Sequence, residues 1–272
     1  MSPALACIRA RFAAPGLAAL LCAAGPVAPR AADALVSEGW QVQLTPYFWA
    51  LAMEGNTRVR GIKGEPDVSF EDIWDNLDYA VMLEGEVRKG RFGMFANVIY
   101  ADLGDTQNVD GFDVKGEATV SWAGFGGFYR LGPWTVLPEA GTLAPKVVVD
   151  PYAGVRYTYA DVTLDVRNGG PQGSDDQDWV DPIVGVRTIW QIGSKWSVTA
   201  LGDIGGFGVG SDFTWQAAGM IGYSFDLFGD DNARLLAGYR ALYQDYSSGS
   251  GDNEFEWDMT LHGPVLGLAI AF

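Results

Sequence analysis

Long stretches of strict two-residue alternation constrain this 272-residue chain more than any other feature. In segment 146–161, apolar residues fill most odd positions, while Asp150, Gly154, Arg156 and Thr158, with Tyr152, occupy even positions. Successive side chains of a β-strand point to opposite faces, so this pattern predicts long, half-apolar strands. Ten candidate strands follow: 40–53, 77–89, 91–103, 114–131, 146–161, 179–192, 195–208, 213–227, 234–246 and 256–272.

The composition of the two faces indicates which one points outward. The polar face is rich in Gly, Ser, Thr, Asp and Arg but poor in Lys, as suits a crowded interior. Aromatic residues gather at the ends of the apolar faces, and the strands are longer than the roughly 5–6 residues typical of soluble proteins. We therefore predict a closed antiparallel transmembrane β-barrel of about ten strands, with eight or twelve as alternatives; a soluble barrel has the opposite arrangement of faces.

The connections between these strands alternate in length. Short turns follow 77–89, 179–192 and 213–227, while longer, acidic and Gly-rich connections such as 54–76, 104–113, 167–178 and 247–255 lie at the other end. Both termini are predicted at the turn end, as in an outer-membrane barrel. Within the first long connection, Ser69 and Asp72 resemble a helix cap and predict a helix of about two turns.

Residues 1–34 have the layout of a cleaved signal peptide, leaving 35–272 as the barrel domain. Two arginines precede a short apolar run, and small residues supply an Ala-x-Ala cleavage site near Ala32. Both cysteines, Cys7 and Cys22, lie within this leader, so disulfides and thiolate metal sites are excluded from the mature chain. The formal net charge of −16 argues against a nucleic-acid partner, which requires a basic footprint.

The C-terminal sequence GPVLGLAIAF resembles the closing strand of Gram-negative outer-membrane β-barrels. Leu266, Leu268, Ile270 and Phe272 alternate back from a terminal aromatic residue, and in that group such an ending is recognised by the barrel assembly machinery. The stretches PYFWALAMEGN, GDIGGFGVGSDFTWQ and LLAGYRALYQDY are also similar to those of a family of small proteobacterial barrels. This resemblance implies the fold and the cell outer membrane as location, but no activity.

The polar faces carry the candidate functional residues. We predict that these residues form a charge network in the lumen, either as a salt-bridged filler or as a substrate-selecting channel, and barrels of this size leave little open space. The single histidine is more consistent with a hydrogen-bonded filler than with a catalytic base, so no catalytic residue is assigned. The predicted lumen network consists of Glu84, Glu86, Arg88, Asp150, Arg156, Asp181, Arg187, Asp203, Arg240 and His262.

Two nearly repeated stretches, VDPYAGVRY from Val149 and VDPIVGVRT from Val180, each place an Asp six residues before an Arg. Residues six apart on a strand are separated by about 20 Å, so neither copy can form its own salt bridge. The two copies are predicted on adjacent antiparallel strands, with Arg156 and Arg187 close together at mid-height. Pairing through the following turn then predicts an ion pair between Arg187 and Asp203.

The last predicted strand changes phase along its length. Trp257, Met259 and Leu261 are apolar at odd positions, whereas the apolar residues from Leu266 onward are even. A bulge at Gly263–Pro264 allows both sets to face lipid, because one extra residue reverses the facing; without a bulge, the predicted register of this strand is wrong.

The sequence thus predicts an integral outer-membrane protein with a polar, largely plugged lumen and acidic external loops, in a structural or surface-interaction role. A narrow channel for small solutes is the alternative, and a lipid or peptide hydrolase at the outer rim is a third. No enzyme activity, cofactor or metal site is predicted, although the acidic stretches 173–181 and 248–258 could hold divalent cations. The expected partners are outer-membrane lipid, lipopolysaccharide and the assembly machinery, with the protein as a monomer.

Overall fold

A computed structural model describes residues 35, 37–59, 62–75, 77–109, 112–166, 172–227, 232–251 and 254–272. The predicted signal peptide lies outside the described residues. The strands are β1 (Trp40–Trp49), β2 (Ala52–Val59), β3 (Ile62–Gly64), β4 (Asp67–Val68), β5 (Leu77–Lys89), β6 (Phe92–Val109), β7 (Phe112–Tyr129), β8 (Leu131–Thr135), β9 (Lys146–Val166), β10 (Gln172–Ile192), β11 (Trp196–Gly206), β12 (Phe213–Phe225), β13 (Ala233–Ser248) and β14 (Phe255–Ala271).

These strands form a closed antiparallel barrel with ten staves, where a stave is one long strand or two strands that continue each other along the barrel wall. This confirms the predicted fold class. Each long strand pairs with its neighbours in chain order, and β14 closes the circle by pairing with both β1 and β2. The pairing register of β14 is the same with β1 and with β2. Between these two strands, the Ala50 backbone N–H donates to the Pro264 carbonyl oxygen at 2.9 Å. Strands β1 and β2 therefore act as one stave.

The alternation predicted from the sequence appears as an apolar outer face. Along every stave, one set of side chains projects away from the barrel, and many large apolar members of this set remain exposed, such as Ile221 at 56% and Leu266 at 55%. Aromatic residues form a ring at each margin of this apolar belt. Trp40, Phe92, Tyr129, Trp134, Trp190, Trp196 and Tyr223 mark one margin, and Tyr79, Tyr100, Tyr157, Tyr159, Trp215 and Tyr243 mark the other.

The two ends of the barrel differ as predicted. The end with the tight turns at 90–91 and 193–195, which also holds both barrel termini, is called the turn end; the opposite end is called the loop end. The long connection 132–145 at the turn end contains β8, which pairs with β9, and a 3₁₀-helix over Pro138–Leu143. At the loop end, most of the predicted loops 104–113 and 167–178 is strand instead, because β6, β7, β9 and β10 extend their pairing beyond the belt.

The predicted helix is present as α1 (Phe70–Asp75). Its cap is confirmed: the Ser69 backbone N–H donates to Asp72 Oδ2 at 3.1 Å, and the Asp72 N–H donates to Ser69 Oγ at 3.3 Å. Ile73 is buried against the barrel, while Trp74 packs edge-on to Phe48 of β1 with ring centroids 5.5 Å apart. Its six residues agree with the predicted length of about two turns.

An apolar cluster fills the lumen towards the loop end. Its fully buried members include Trp49, Ile99, Leu242, Phe255 and Met259, and on each strand they lie on the loop-end side of the charged lumen residues. We call this cluster, which comprises Trp49, Leu51, Ile73, Met82, Ile99, Val120, Trp122, Ala160, Trp179, Leu242, Phe255, Trp257, Met259, Leu261 and Val265, the lumen plug.

The phase change predicted in the last strand was wrong. The register between β13 and β14 is continuous from Ala233–Ile270 to Ser248–Phe255, without a bulge at Gly263–Pro264. Trp257, Met259 and Leu261 therefore point into the lumen and belong to the plug. The prediction failed because it assigned apolar side chains only to lipid, whereas this barrel also buries apolar side chains inside.

Among the described residues, no helix is long and apolar enough to cross a membrane.

Candidate functional site: the polar chamber of the lumen

Nine of the ten residues predicted for the lumen network lie on the inner face of the barrel. The placement follows from strand phase: Asp150 and Arg156 occupy inward positions of β9, and Asp181 and Arg187 occupy inward positions of β10. Glu84, Glu86 and Arg88 lie on β5, Asp203 on β11 and Arg240 on β13, all lining the lumen on the turn-end side of the plug.

His262 is the exception, and its predicted position in the lumen was wrong. The unbroken register of β14 turns the even positions outward, so His262 faces outward at the loop-end margin of the belt. Its Nδ1 lies 2.7 Å from the Tyr239 hydroxyl, and its Nε2 lies 3.7 Å from a carboxylate oxygen of Glu54. The outward face is polar in this part of β14, which the assumption of an apolar exterior along the whole strand had missed.

The predicted ion pair between Arg187 and Asp203 was also wrong. Arg187 donates from Nε and Nη2 to Asp150 at 3.1 and 2.8 Å and from Nη1 to Glu86 at 2.6 Å. Asp203 instead accepts from Arg156 Nη2 at 2.7 Å. Arg187 binds Asp150, the residue directly opposite in the ladder, and Glu86 across the lumen, whereas Arg156 reaches Asp203 across β10. Ladder positions alone therefore do not identify every partner.

The register explains the arrangement of the repeated VDPxxGVR motifs and shows that the predicted close approach of Arg156 and Arg187 was wrong, since they lie six ladder positions apart. Because β9 and β10 are antiparallel, Asp150 lies opposite Arg187, and Asp181 lies opposite Arg156. Only the first of these pairs forms an ion pair. Asp181 accepts hydrogen bonds from the backbone N–H of Ser211 at 2.6 Å and from its hydroxyl at 2.9 Å, which fixes the connection between β11 and β12 at the loop end.

The glycine of the second motif allows the polar network to cross a strand. A Cβ atom at Gly185 would lie 2.5 Å from the ring of Tyr152 and 2.7 Å from Cβ of Asp203. The tyrosine therefore lies over this glycine, and its hydroxyl donates to Asp203 Oδ2 at 2.8 Å. Gln216 Nε2 donates to the same oxygen at 3.1 Å, so both carboxylate oxygens of Asp203 accept hydrogen bonds.

Arg130 is a central network residue that the sequence prediction omitted. It donates from Nε and Nη2 to Asp150 at 2.9 and 2.7 Å, in the fork geometry that suits a guanidinium and a carboxylate. Arg130 is even-numbered, like the inward positions of β7, and it already lies within the predicted strand 114–131, so its phase was the signal that could have found it.

A water-accessible chamber occupies the lumen between this network and the turn end. Its larger part has a volume of about 180 Å³, and a deeper part of about 100 Å³ shares Glu84, Arg187 and Arg240 as lining residues. A single water needs roughly 10–15 Å³ by this measure, so the chamber holds several waters or a small solute. Trp122, which also lines the deeper part, belongs to the plug that closes the chamber towards the loop end.

The plug contains its own polar contacts. Trp122 Nε1 donates to Gln244 Oε1 at 2.9 Å, and Gln244 Nε2 donates to the Thr158 hydroxyl at 2.8 Å. Trp179 stacks on Tyr246 with centroids 4.1 Å apart. Buried polar side chains that are paired in this way hold the neighbouring aromatic rings in fixed positions.

Three residues of the predicted C-terminal signal, Leu266, Leu268 and Ile270, share the outward face of β14, and the fourth, Phe272, directly follows the strand. Leu266 and Phe272 are exposed, and Leu268 and Ile270 are half-buried on the same face. Their role in assembly stays a prediction. Among the described residues, which leave out 252–253 of the second acidic stretch, no three His, Cys, Asp or Glu side chains are grouped to hold a metal ion.

Comparison with solved structures identifies other bacterial barrels. The chain is similar to Ail, the attachment invasion locus protein of Yersinia pestis, in its complex with the heparin analogue sucrose octasulfate (11% identity, 86% of this chain and 99% of that chain covered, TM-score 0.36). It is also similar to the outer membrane protease OmpT of Escherichia coli (8%, 86% and 97%, TM-score 0.43) and to Neisserial surface protein A (13%, 86% and 97%, TM-score 0.29). No protein-family model and no curated protein matches the chain. Similarity at this level concerns barrel architecture and carries no functional information.

Proposed function

We propose that this protein spans the outer membrane of a Gram-negative bacterium, with the turn end in the periplasm. The support is the apolar belt: large side chains such as Val184, Leu235 and Ile221 are about half exposed in the isolated barrel, and burial in lipid removes that surface from water. Aromatic residues at both margins suit the two interfaces. Gel electrophoresis of unheated and boiled samples tests for a stable barrel. The two samples are expected to migrate differently, and identical migration contradicts the proposal.

The barrel is proposed to be closed to solutes, with a structural or surface-interaction role. The lumen plug carries this proposal. Trp49, Leu242, Phe255, Met259 and Leu261 are each at most 1% exposed, which supports a lumen filled by side chains at the level of the plug. Interiors of small barrels are filled by side chains in this manner.

Conductance in planar lipid bilayers tests whether the lumen is closed. The purified wild-type protein is expected to give no discrete, reproducible current steps. The triple variant Trp122→Ala, Met259→Ala, Leu261→Ala removes three large plug side chains and is expected to give steps. Trp215→Ala, which removes a ring from the outer face, is the matched control and should stay silent. Regular steps from the wild-type protein contradict the proposal.

A narrow channel is the second candidate function, because the polar chamber provides half of a transmembrane path. The same bilayer experiment decides between the two. The hydrolase alternative has less support: His262 lies outside the lumen and contacts Tyr239 and Glu54 rather than a serine. We therefore propose no enzyme activity, and any lipid or peptide hydrolysis that is lost in His262→Ala overturns this.

The proposed partners are lipid and lipopolysaccharide around the belt, and the assembly machinery during insertion. Carboxylates such as Asp178, Asp245 and Asp258 face outward beyond the belt at the loop end, where they meet the polar part of the outer leaflet. The protein is proposed to be a monomer. Crosslinking in native membranes that yields a discrete dimer or trimer contradicts this.

A further inference from the structure

The polar chamber contains more positive than negative charge, although the whole protein is acidic. Six arginines line it: Arg88, Arg130, Arg156, Arg187, Arg234 and Arg240. Four carboxylates line the chamber or bind these arginines: Glu84, Glu86, Asp150 and Asp203. Asp181 does not line it. Every residue named here enters the barrel from the inner face, so the excess charge is directed at the enclosed solvent.

Two of the arginines have no carboxylate partner among the described residues. Arg240 donates from Nη1 to the Tyr47 hydroxyl at 3.2 Å and from Nη2 to the Gln216 amide oxygen, and its guanidinium lies 4.7 Å from the Trp49 ring centroid. Its Nε is buried without a hydrogen-bond partner. Nearer the turn end, Arg234 donates from Nε to the Ser224 hydroxyl at 3.2 Å.

Neutral acceptors leave the charge of these guanidinium groups uncompensated. Removing a charge from bulk water is costly unless an opposite charge or strong hydrogen bonds replace the lost hydration. Glu84 lines both parts of the chamber near Arg240 without a hydrogen bond to a described residue, so it offsets only part of the positive charge. A guanidinium with unused donors matches the oxygens of a carboxylate or phosphate.

We propose that the chamber binds a small anion from the periplasm, bearing carboxylate or phosphate groups. Arg240 binds it at the inner end, beneath the Trp49 ring, and Arg234 attracts it at the turn end. The plug makes this a closed-ended site rather than a passage. The site differs from the proposed structural role, because binding requires only that the chamber is open at the turn end.

Isothermal titration calorimetry of the detergent-solubilised barrel tests the site, with succinate and inorganic phosphate as probes. Saturable binding of one or both is expected, and the neutral analogue succinamide should not bind. Binding of succinate alone identifies a carboxylate ligand, and binding of phosphate alone identifies a phosphate ligand. If neither probe shows saturable binding to the folded wild-type protein, the proposal is overturned.

Three variants test whether the anion binds in the chamber. Arg240→Gln and Arg234→Gln are each expected to weaken binding about tenfold or more, the effect of losing one hydrogen bond to a charged group. Glu84→Gln should tighten binding, because it removes a competing negative charge, and a purely structural role of Glu84 predicts no such gain. Gel migration of unheated samples checks that each variant is folded.

Arg58→Gln is the matched control, since it removes the same charge at the loop end, where Arg58 pairs with Glu254 and Glu256. Its affinity should equal that of the wild type. Equal weakening by Arg58→Gln and Arg240→Gln shows non-specific charge attraction and overturns the proposal. Because calorimetry needs no transport, a barrel that conducts ions in bilayers can still bind the anion, and the two proposals fail independently.

Discussion

Asp150 is the residue on which the lumen network depends most, and Asp150→Asn tests that role. The carboxylate is fully buried and accepts four hydrogen bonds, two from Arg130 and two from Arg187. An asparagine retains the shape but cannot neutralise either guanidinium. After the substitution, Arg130 has no carboxylate partner among the described residues, and Arg187 keeps only Glu86.

The size of the effect follows from this loss of charge compensation. Removing one partner of a buried ion pair costs about 3–5 kcal/mol, because the other charge stays buried and unpaired. The adjacent chamber admits water to Arg187, and Glu86 still binds it at 2.6 Å, so the lower end of the range applies. We expect the free energy of unfolding to fall by about 3 kcal/mol.

Urea unfolding in lipid vesicles, followed by tryptophan fluorescence, measures this change. Asp178→Asn, an outward and exposed carboxylate, is the matched control and should change stability by less than about 0.5 kcal/mol. The double variant Asp150→Asn, Arg130→Gln should lose less than the sum of the single losses, because it also removes the orphaned charge. A loss below about 1 kcal/mol for Asp150→Asn, or strict additivity, refutes the reasoning.

Three further outcomes follow from the geometry. Gly185→Ala should cost about 1–3 kcal/mol of unfolding free energy, because its Cβ lies 2.5 Å from a backbone oxygen, whereas Gly219→Ala, with no atom within 4 Å, should be neutral; equal urea midpoints contradict this. Burial and the negative charges of Asp258 and its neighbours raise the pKa of Asp245, which lies beyond the belt, so the folded state loses stability as pH rises above 3.8. Asp245→Asn should therefore have a higher melting temperature than the wild type at pH 7 and the same melting temperature at pH 3. An equal difference in melting temperature at both pH values contradicts this. His262→Ala, at a partly exposed position, should change the unfolding free energy by less than about 0.5 kcal/mol, and a larger loss would show that the outward histidine stabilises the fold.

Strand number and facing could be predicted because they follow from a local pattern. Alternation repeats over many residues in β9, β10, β12 and β13, so its period identifies strands without any knowledge of their partners. The lengths of the connections then placed both barrel termini at one end. The cap at Ser69 was predictable for the same reason, since both of its members lie within one helical turn.

The contacts within the lumen could not be predicted, because they depend on several strands at once. Arg156 reaches Asp203 across β10, and Tyr152 does so only because Gly185 has no side chain. Ladder positions alone favoured Arg187 as the partner of Asp203. The conformation of each long side chain decides which of several partners it contacts, and this conformation cannot be read from the sequence.

The plug and His262 show a second limit. Alternation distinguishes the two faces of a strand, but it does not show which face contacts lipid at each level of the barrel. In β14 the inward face is apolar at Trp257, Met259 and Leu261, whereas the outward face of the same part of the strand carries Asp258 and His262. Only the continuous pairing with β13 reveals that the facing is unchanged along the strand.

The facing of β14 is the central claim, and a cysteine scan tests it most directly. Both native cysteines, Cys7 and Cys22, lie within residues 1–34, so a single cysteine introduced into protein produced as residues 35–272 carries a spin label at one defined site. In vesicles, labels at Leu266, Leu268 and Ile270 should be accessible to oxygen dissolved in lipid, while labels at Val265 and Leu261 should not. Oxygen accessibility at Leu261 comparable to that at Leu266 shows a change of phase within the strand and contradicts the barrel described.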